Sequence, residues 1–310
     1  MRDNSLRVGD ELKGQAPNAP VLWYAVPALS SIQRLPDQYP VDGKLNAPLR
    51  VVAMRGEFEP ASFVVYTCED AEKFLVTAGD LRSAEGAVLP KSEIDIKLVK
   101  VWYQNCNGWY SYFGDVGLKL VPELLVNDEN LIKVDTFKKA NYLRVNYPEG
   151  YKYIWISAPE AIDASPDHMN APVADAKTLQ PVTLEAGRFK QFMVTFHIGK
   201  DVKPGLYTGA IRMTLEGKAA GSIPVRLRVL PHRLPDPKTY YDCTADFYTM
   251  LYCVPGINQT YEQNGHDREQ SDAKQLARFQ NQVDHNILYP LYLGLWTPSL
   301  EFYPLVAKAV

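Results

Sequence analysis

Two groups of residues have the types and spacing to do chemistry. The first is Asp242 and Asp246, followed by Tyr248, Tyr252 and, further on, Trp296. Acids at the end of a buried strand can hydrogen-bond hydroxyl groups or perturb a neighbouring carboxyl, and flat rings beside them can stack on a sugar. A cap, an ion pair or plain packing at a domain junction accounts for the same residues, so both readings stand. The second is the loop Gln104–Asp115, in which Trp109, Tyr110, Tyr112 and Phe113 lie among Asn105, Asn107 and Asp115. Apolar ring faces next to polar edges suit carbohydrate. Packing of the loop against a neighbouring domain competes evenly with that role.

Other chemistries have less to stand on. Cys68, Cys106, Cys243 and Cys253 form no CxxC pair, and the five histidines share no metal spacing, so neither a metal nor a cofactor is expected. Cys243 and Cys253 are near enough in sequence to pair, and their state is left open. There is no P-loop, dinucleotide fingerprint or nucleophile elbow. Asn258-Gln259-Thr260 is a glycosylation sequon by pattern only. Glu57 and Glu59 flank a turn and read as structural. A net charge of −3 with mixed signs gives no footprint for nucleic acid, and no run approaches the ~20 apolar residues that span a bilayer. Met1–Ser5 is polar and carries no signal-peptide pattern, which fits a cytoplasmic protein or one that has shed its leader.

The elements that must position these residues are mainly strands. The clearest stretch is Lys203–Pro237. Tyr207, Ile211, Met213 and Leu215 alternate with polar neighbours, as do Ile223, Val225, Leu227 and Val229. Period-two alternation predicts a half-buried antiparallel hairpin, its connection bracketed by Gly217 and Gly221. Pro231, Pro235 and Pro237 then predict the end of the sheet and a stiff connector. Upstream, strands are expected at Val21–Val26, Leu49–Met54, Ala61–Thr67 (buried and apolar), Phe74–Thr77, Ile94–Tyr103, Tyr151–Ile156 and Phe192–Ile198. Arg55–Pro60 reads as a sharp turn. The apolar residues of Ile94–Tyr103 change face midway, which predicts a bulge or burial on both faces. Leu120–Val126 and Leu131–Val134 flank Asn127–Asn130 as a hairpin, and Ala158–Thr178 is a long loop.

The expected fold is therefore mostly β. An arm (1–20) leads into a large antiparallel β-sandwich (21–230) and a Pro-rich linker (231–238). After it, Tyr240–Tyr252 and Leu288–Leu295 read as buried strands. Between them is a helix opened by Asp267 and Gln270, with Ala273, Leu276, Ala277, Val283 and Ile287 on one face. Strand, helix, strand is a βαβ unit, but a (β/α)8 barrel takes roughly 250 residues. Residues 239–310 are thus expected to be the truncated start of such a barrel.

Several motifs carry a resemblance. Trp155–Asp163 (WISAPEAID), Asp175–Val182 (DAKTLQPV) and Gly187–Phe192 (GRFKQF) resemble the N-terminal region of bacterial glycoside hydrolases similar to the family 123 N-acetylgalactosaminidases. Arg55–Pro60 (RGEFEP), Val121–Leu125 (VPELL) and Pro204–Gly209 (PGLYTG) fit the same pattern. The resemblance covers roughly residues 20–300. It implies a sandwich joined to a TIM-like barrel, a glycan substrate, a secreted or periplasmic parent, and an adjacent Asp-Glu pair on a later barrel strand. In that pair Glu is the acid and Asp orients the substrate's acetamido group. The Asp-Glu pairs of this sequence, Asp10-Glu11 and Asp128-Glu129, fall in the arm and in a turn, so no catalytic residue is carried over. The chain by itself is expected not to cleave substrate. A non-catalytic carbohydrate-binding or interaction module is the rival reading.

Overall fold

The computed structural model describes residues 8, 20–105, 117–147, 149–156, 175–236, 244, 268–284 and 287. They are mostly β, as expected, with sixteen strands and one helix. The chain divides into two compact units: Met1–Arg144, Tyr151–Ile162 and Val173–Arg233 form one, and Val145–Gly150, Asp163–Pro172 and Leu234–Val310 the other.

In the first unit, six strands pair in the order β2 (Lys44–Leu45), β1 (Leu22–Val26), β4 (Glu57–Tyr66), β14 (Phe189–Ile198), β8 (Ile94–Asn105), β9 (Leu118–Val126). A second sheet runs β13 (Val182–Leu184), β5 (Ala71–Ala78), β15 (Gly205–Leu215), β16 (Lys218–Arg233), β3 (Leu49–Arg55), with the short β6 (Leu81–Ser83) and β7 (Val88–Leu89) paired alongside. The inner faces of the two sheets share one apolar core. Phe63 and Phe192 of the first sheet stack at 5.3 Å between ring centroids, and Phe74 of the second meets Phe192 at 6.0 Å. Interdigitating side chains from two inner faces make this a sandwich. The outer face of the first sheet is covered too, where Tyr24, Tyr39 and Phe189 meet edge to face and Tyr66 packs tilted against Phe189. That second layer explains why every residue of Ala61–Tyr66 is buried.

The expected alternation of β15 and β16 holds: Tyr207, Ile211, Met213, Ile223, Val225, Leu227 and Val229 are all buried. The turn itself is Glu216-Gly217, both at positive φ (50° and 78°), the geometry of a two-residue type I′ hairpin. Gly221 sits beyond it, at the irregularity where Met213 pairs Gly221 but Thr214 pairs Ala219. The ladder along β8 is irregular between Lys100 and Val101, but the extra residue, Glu123, is on the partner strand β9.

Four expectations need correction. The sheet does not stop at Pro231, because β16 continues to Arg233 and pairs β3 in parallel. Pro231 falls inside the register shift between Val229 and Arg233, where a missing N–H breaks no regular ladder. The sandwich is thus not wholly antiparallel. The turn at Arg55–Pro60 shrinks to Gly56 (φ 83°), and Glu57–Pro60 already belong to β4. Gly56 crosses the chain from one sheet to the other. There Gly56 N–H donates to Ile198 O at 2.6 Å, the Glu57 carboxylate accepts Met54 N–H at 2.6 Å, and Arg55 donates to Pro231 O at 3.0 Å. Leu120–Val134 is not a hairpin either: β9 pairs β8, while β10 (Ile132–Asp135) pairs β11 (Ala140–Tyr147). A 3₁₀ turn at Glu129–Leu131 takes the chain into a separate three-stranded sheet, β10-β11-β12, whose last strand is β12 (Gly150–Trp155).

In the second unit, helix α1 spans Arg268–Asp284, within the stretch expected to be helical, but another face is buried. Ser271, Gln275, Phe279 and Gln282 are buried, while Ala273 and Ala277 are exposed. Phe279 carries the largest apolar area on the helix and decides which side turns inward. Tyr240–Tyr252, apart from exposed Thr244, and Leu288–Leu295 lie outside the described residues, as do 157–174.

Candidate functional site

None of the residues singled out for substrate contact can be placed. Trp109, Tyr110, Tyr112, Phe113, Asp242, Asp246, Tyr248, Tyr252 and Trp296 lie outside the described residues, as do Cys106, Cys243 and Cys253. Cys68 is an exposed free thiol.

Asp128-Glu129 is placed, and both acids are committed to structure. Asp128 caps the 3₁₀ turn, accepting Asn130 N–H at 2.9 Å, and pairs with Arg144 at 2.8 Å. Those bonds hold its carboxyl below the usual carboxylate value against the opposing effect of burial. Glu129 accepts Lys190 Nζ at 2.6 Å and Thr183 N–H at 2.6 Å. Asp175 secures the same turn from below, taking Asn127 N–H at 2.6 Å and Asp128 N–H at 2.9 Å. A carboxylate kept ionised by a cation is a poor proton donor at neutral pH, so Asp128 is unsuited to general-acid work.

Glu129 borders a cavity of about 330 Å³ beside β8 and β14, with Lys100, Lys190, Arg188, Arg34 and Gln191 among its walls. Burial pushes the Lys100 ammonium below the usual lysine value, Glu129 pulls it back, and Lys190 pushes it down again. Lys100 donates to Glu129 O at 2.8 Å, Lys190 to Thr183 O as well as to the Glu129 carboxylate, and Arg34 to both Asp42 oxygens at 2.6 and 2.8 Å. Each of these cations already has a protein acceptor, so the cavity is a polar buttress between segments before it is a ligand site.

A second, more open hollow of about 560 Å³ contains Glu85, Glu93, His197, Asp201, Lys203 and Tyr207. His197 Nδ1 lies 2.6 Å from Glu93, and its ring stacks on Phe58 at 4.3 Å. Tyr207 donates to Lys203 O at 2.8 Å, and burial raises its phenol above the usual value. The Glu93 contact and the Phe58 ring fix the imidazole's orientation. Among the described residues no three His, Cys, Asp or Glu side chains gather as metal ligands, and no helix is long and apolar enough to cross a membrane.

The described residues therefore define a large β-sandwich with polar junctions rather than a recognisable catalytic centre. Comparison with solved structures agrees at the level of fold. A family 123 glycoside hydrolase from Clostridium perfringens, characterised for glycolipid glycan hydrolysis, superposes with a TM-score of 0.50 at 11% identity. The match covers 85% of this chain and 36% of that one. AvmM, which catalyses macrocyclization in alchivemycin A biosynthesis, reaches a TM-score of only 0.24 at 12% identity over 70% of this chain and 93% of its own, and carries no argument. No family model and no curated protein matches the sequence.

Proposed function

We propose that this chain is the N-terminal part of a bacterial glycoside hydrolase acting on N-acetylated glycans, and that its own share of the work is to hold glycan rather than to cleave it. One observation supports this above the others: the sandwich is shared with a glycoside hydrolase over most of this chain but little more than a third of the other. The motifs WISAPEAID and GRFKQF point the same way. The ion-paired state of Asp128 and Glu129 supports the division of labour, because the Asp-Glu pair within the sandwich is taken up by Arg144 and Lys190. In this reading residues 239–310 belong to the catalytic side, and Asp242, Asp246, Tyr248 and Trp296 contact substrate.

The test has two arms. The chain is incubated with aryl N-acetylgalactosaminides, and separately applied to an immobilised panel of neutral and N-acetylated oligosaccharides. The expected result is saturable binding to the panel with no aryl alcohol released. Release by this chain overturns the division of labour. Absence of both binding and release overturns the glycan assignment itself.

A further inference from the structure

We infer that the outer face of the three-stranded sheet is a glycan-stacking platform built on Tyr151 and Trp155. This rests on the glycan reading above and assigns that reading a site. The face follows from register. Ile132 lies opposite Leu143, and both pack toward the sandwich core, as does Ile156, whose N–H donates to Asn141 O at 2.9 Å. Strand alternation then turns Tyr151, Tyr153 and Trp155 outward on β12, together with Tyr142 and Arg144 of β11 and Lys133 of β10. Tyr151 is 62% exposed and Trp155 44% exposed, on an edge strand.

Exposed rings alone would mean little. Tyr151 is held in place. Tyr153 meets Tyr151 edge-on at 5.8 Å and 82°, and its hydroxyl donates to Asn130 O at 2.6 Å. The Arg144 guanidinium lies 5.9 Å from the Tyr151 ring centroid and is itself fixed by Asp128 at 2.8 Å. The Asp128 turn is thus the brace of an exposed tyrosine. A ring ordered before its ligand arrives loses little entropy when the ligand stacks on it. Tyr151 and Trp155 are about 13 Å apart along the strand, a span that accommodates successive rings of an extended sugar chain.

The composition of the face selects the occupant. By the same alternation it presents Tyr142, Tyr151, Tyr153 and Trp155 with Lys133, Arg144 and Asp135, and the one aliphatic residue that register adds, Ala140, is buried, whereas protein interfaces at their centres mix exposed aliphatic and aromatic groups. Sugars offer C–H faces to rings and hydroxyls to phenol, guanidinium and ammonium groups. Single-stranded nucleic acid also stacks on such rings, but it needs a cationic groove along its backbone, and here Arg144 is neutralised by Asp128.

The test uses the whole chain and one probe set: N-acetylgalactosamine-terminated oligosaccharide, a neutral hexose oligosaccharide, and a single-stranded oligonucleotide. Affinities are compared for the wild type, Tyr151→Ala, Trp155→Ala, the double variant, Trp155→Phe, and Lys152→Ala, which alters the opposite side of the same strand. Each alanine is expected to weaken oligosaccharide binding about tenfold and the pair roughly a hundredfold, while Trp155→Phe and Lys152→Ala stay within about threefold of the wild type. Oligosaccharide binding that survives the double variant removes the platform and leaves the glycan assignment standing. Equal loss in Lys152→Ala, or preference for the oligonucleotide, overturns the inference. A wild type that binds no oligosaccharide overturns platform and glycan assignment together.

Discussion

Asn141 is the residue on which the position of the small sheet should depend. Its side-chain oxygen accepts Tyr103 N–H at 2.9 Å, and its amide donates back to Tyr103 O at 2.7 Å, both in a buried setting. At Tyr103 strand β8 is paired on one side by β9, while its pairing with β14 ends at Leu98. The Asn141 amide therefore stands in for a missing strand residue and staples β11 to the sandwich. Replacing it with alanine leaves a buried donor and a buried acceptor without partners. At about 1–3 kcal/mol for each, the expected loss is about 3 kcal/mol, allowing for some water entry. For a unit of this size that is roughly 6–12 °C in melting temperature. Asn141→Asp separates the two bonds. The new carboxylate still accepts Tyr103 N–H but sets a negative oxygen against Tyr103 O, so its folded pKa is raised above the unfolded value. Its destabilisation is then small in acid and grows as pH rises past the ordinary aspartate value of about 3.9. Urea denaturation at pH 4 and pH 7 reads both effects. A loss below about 1 kcal/mol for Asn141→Ala, or an Asn141→Asp variant no less stable at pH 7 than at pH 4 relative to the wild type, refutes the staple.

Three further outcomes are expected. Phe192→Ala removes the ring that stacks on Phe63 and meets Phe74 across the sandwich, and should cost about 3–5 kcal/mol in chemical denaturation. Gly209→Ala should destabilise by about 1–3 kcal/mol in the same assay, because its Cβ would sit 2.7 Å from the main-chain oxygen of Asp80 and 2.6 Å from Leu81 Cδ2. The Arg34 guanidinium, chiefly by hydrogen bonding, holds the Asp42 carboxyl below its ordinary 3.8. A lowered folded pKa means stability that is complete above 3.8 and lost as pH falls through the lower folded value. Asp42→Asn should therefore flatten the acid limb of a stability–pH curve and lower the neutral plateau by about 2 kcal/mol.

What the sequence reveals here follows from how local each signal is. Alternation along Tyr207–Leu215 and Ile223–Val229, the unbroken burial of Ala61–Tyr66 and the change of face in β8 are written in neighbouring residues, and each is legible. The parallel pairing of β16 with β3 joins residues far apart in sequence with no turn between them, so nothing local announces it. Pro231 misleads because a proline stops a strand only where its N–H is needed. Asn127–Asn130 has the composition of a hairpin turn, but its groups are drawn elsewhere, to Asp175, Arg144 and Lys190, and the chain changes sheet. The Tyr151-x-Tyr153-x-Trp155 pattern is visible as aromatic residues at every second position. What the sequence hides is which face of β12 looks outward, because that depends on Ile156 packing against a core assembled from distant strands. The roles of Arg34, Lys100 and Lys190 are hidden for the same reason: their partners come from other segments.

The central claim is that the three-stranded sheet holds glycan against its outward aromatic face. Saturation-transfer NMR tests it directly, because magnetisation placed on the aromatic protons of the protein reaches only those sugar protons that touch it. With an N-acetylgalactosamine-terminated oligosaccharide, transfer should be strongest to ring C–H protons and should fall to background in Tyr151→Ala/Trp155→Ala. Absence of transfer in the wild type, or undiminished transfer in the double variant, contradicts the account.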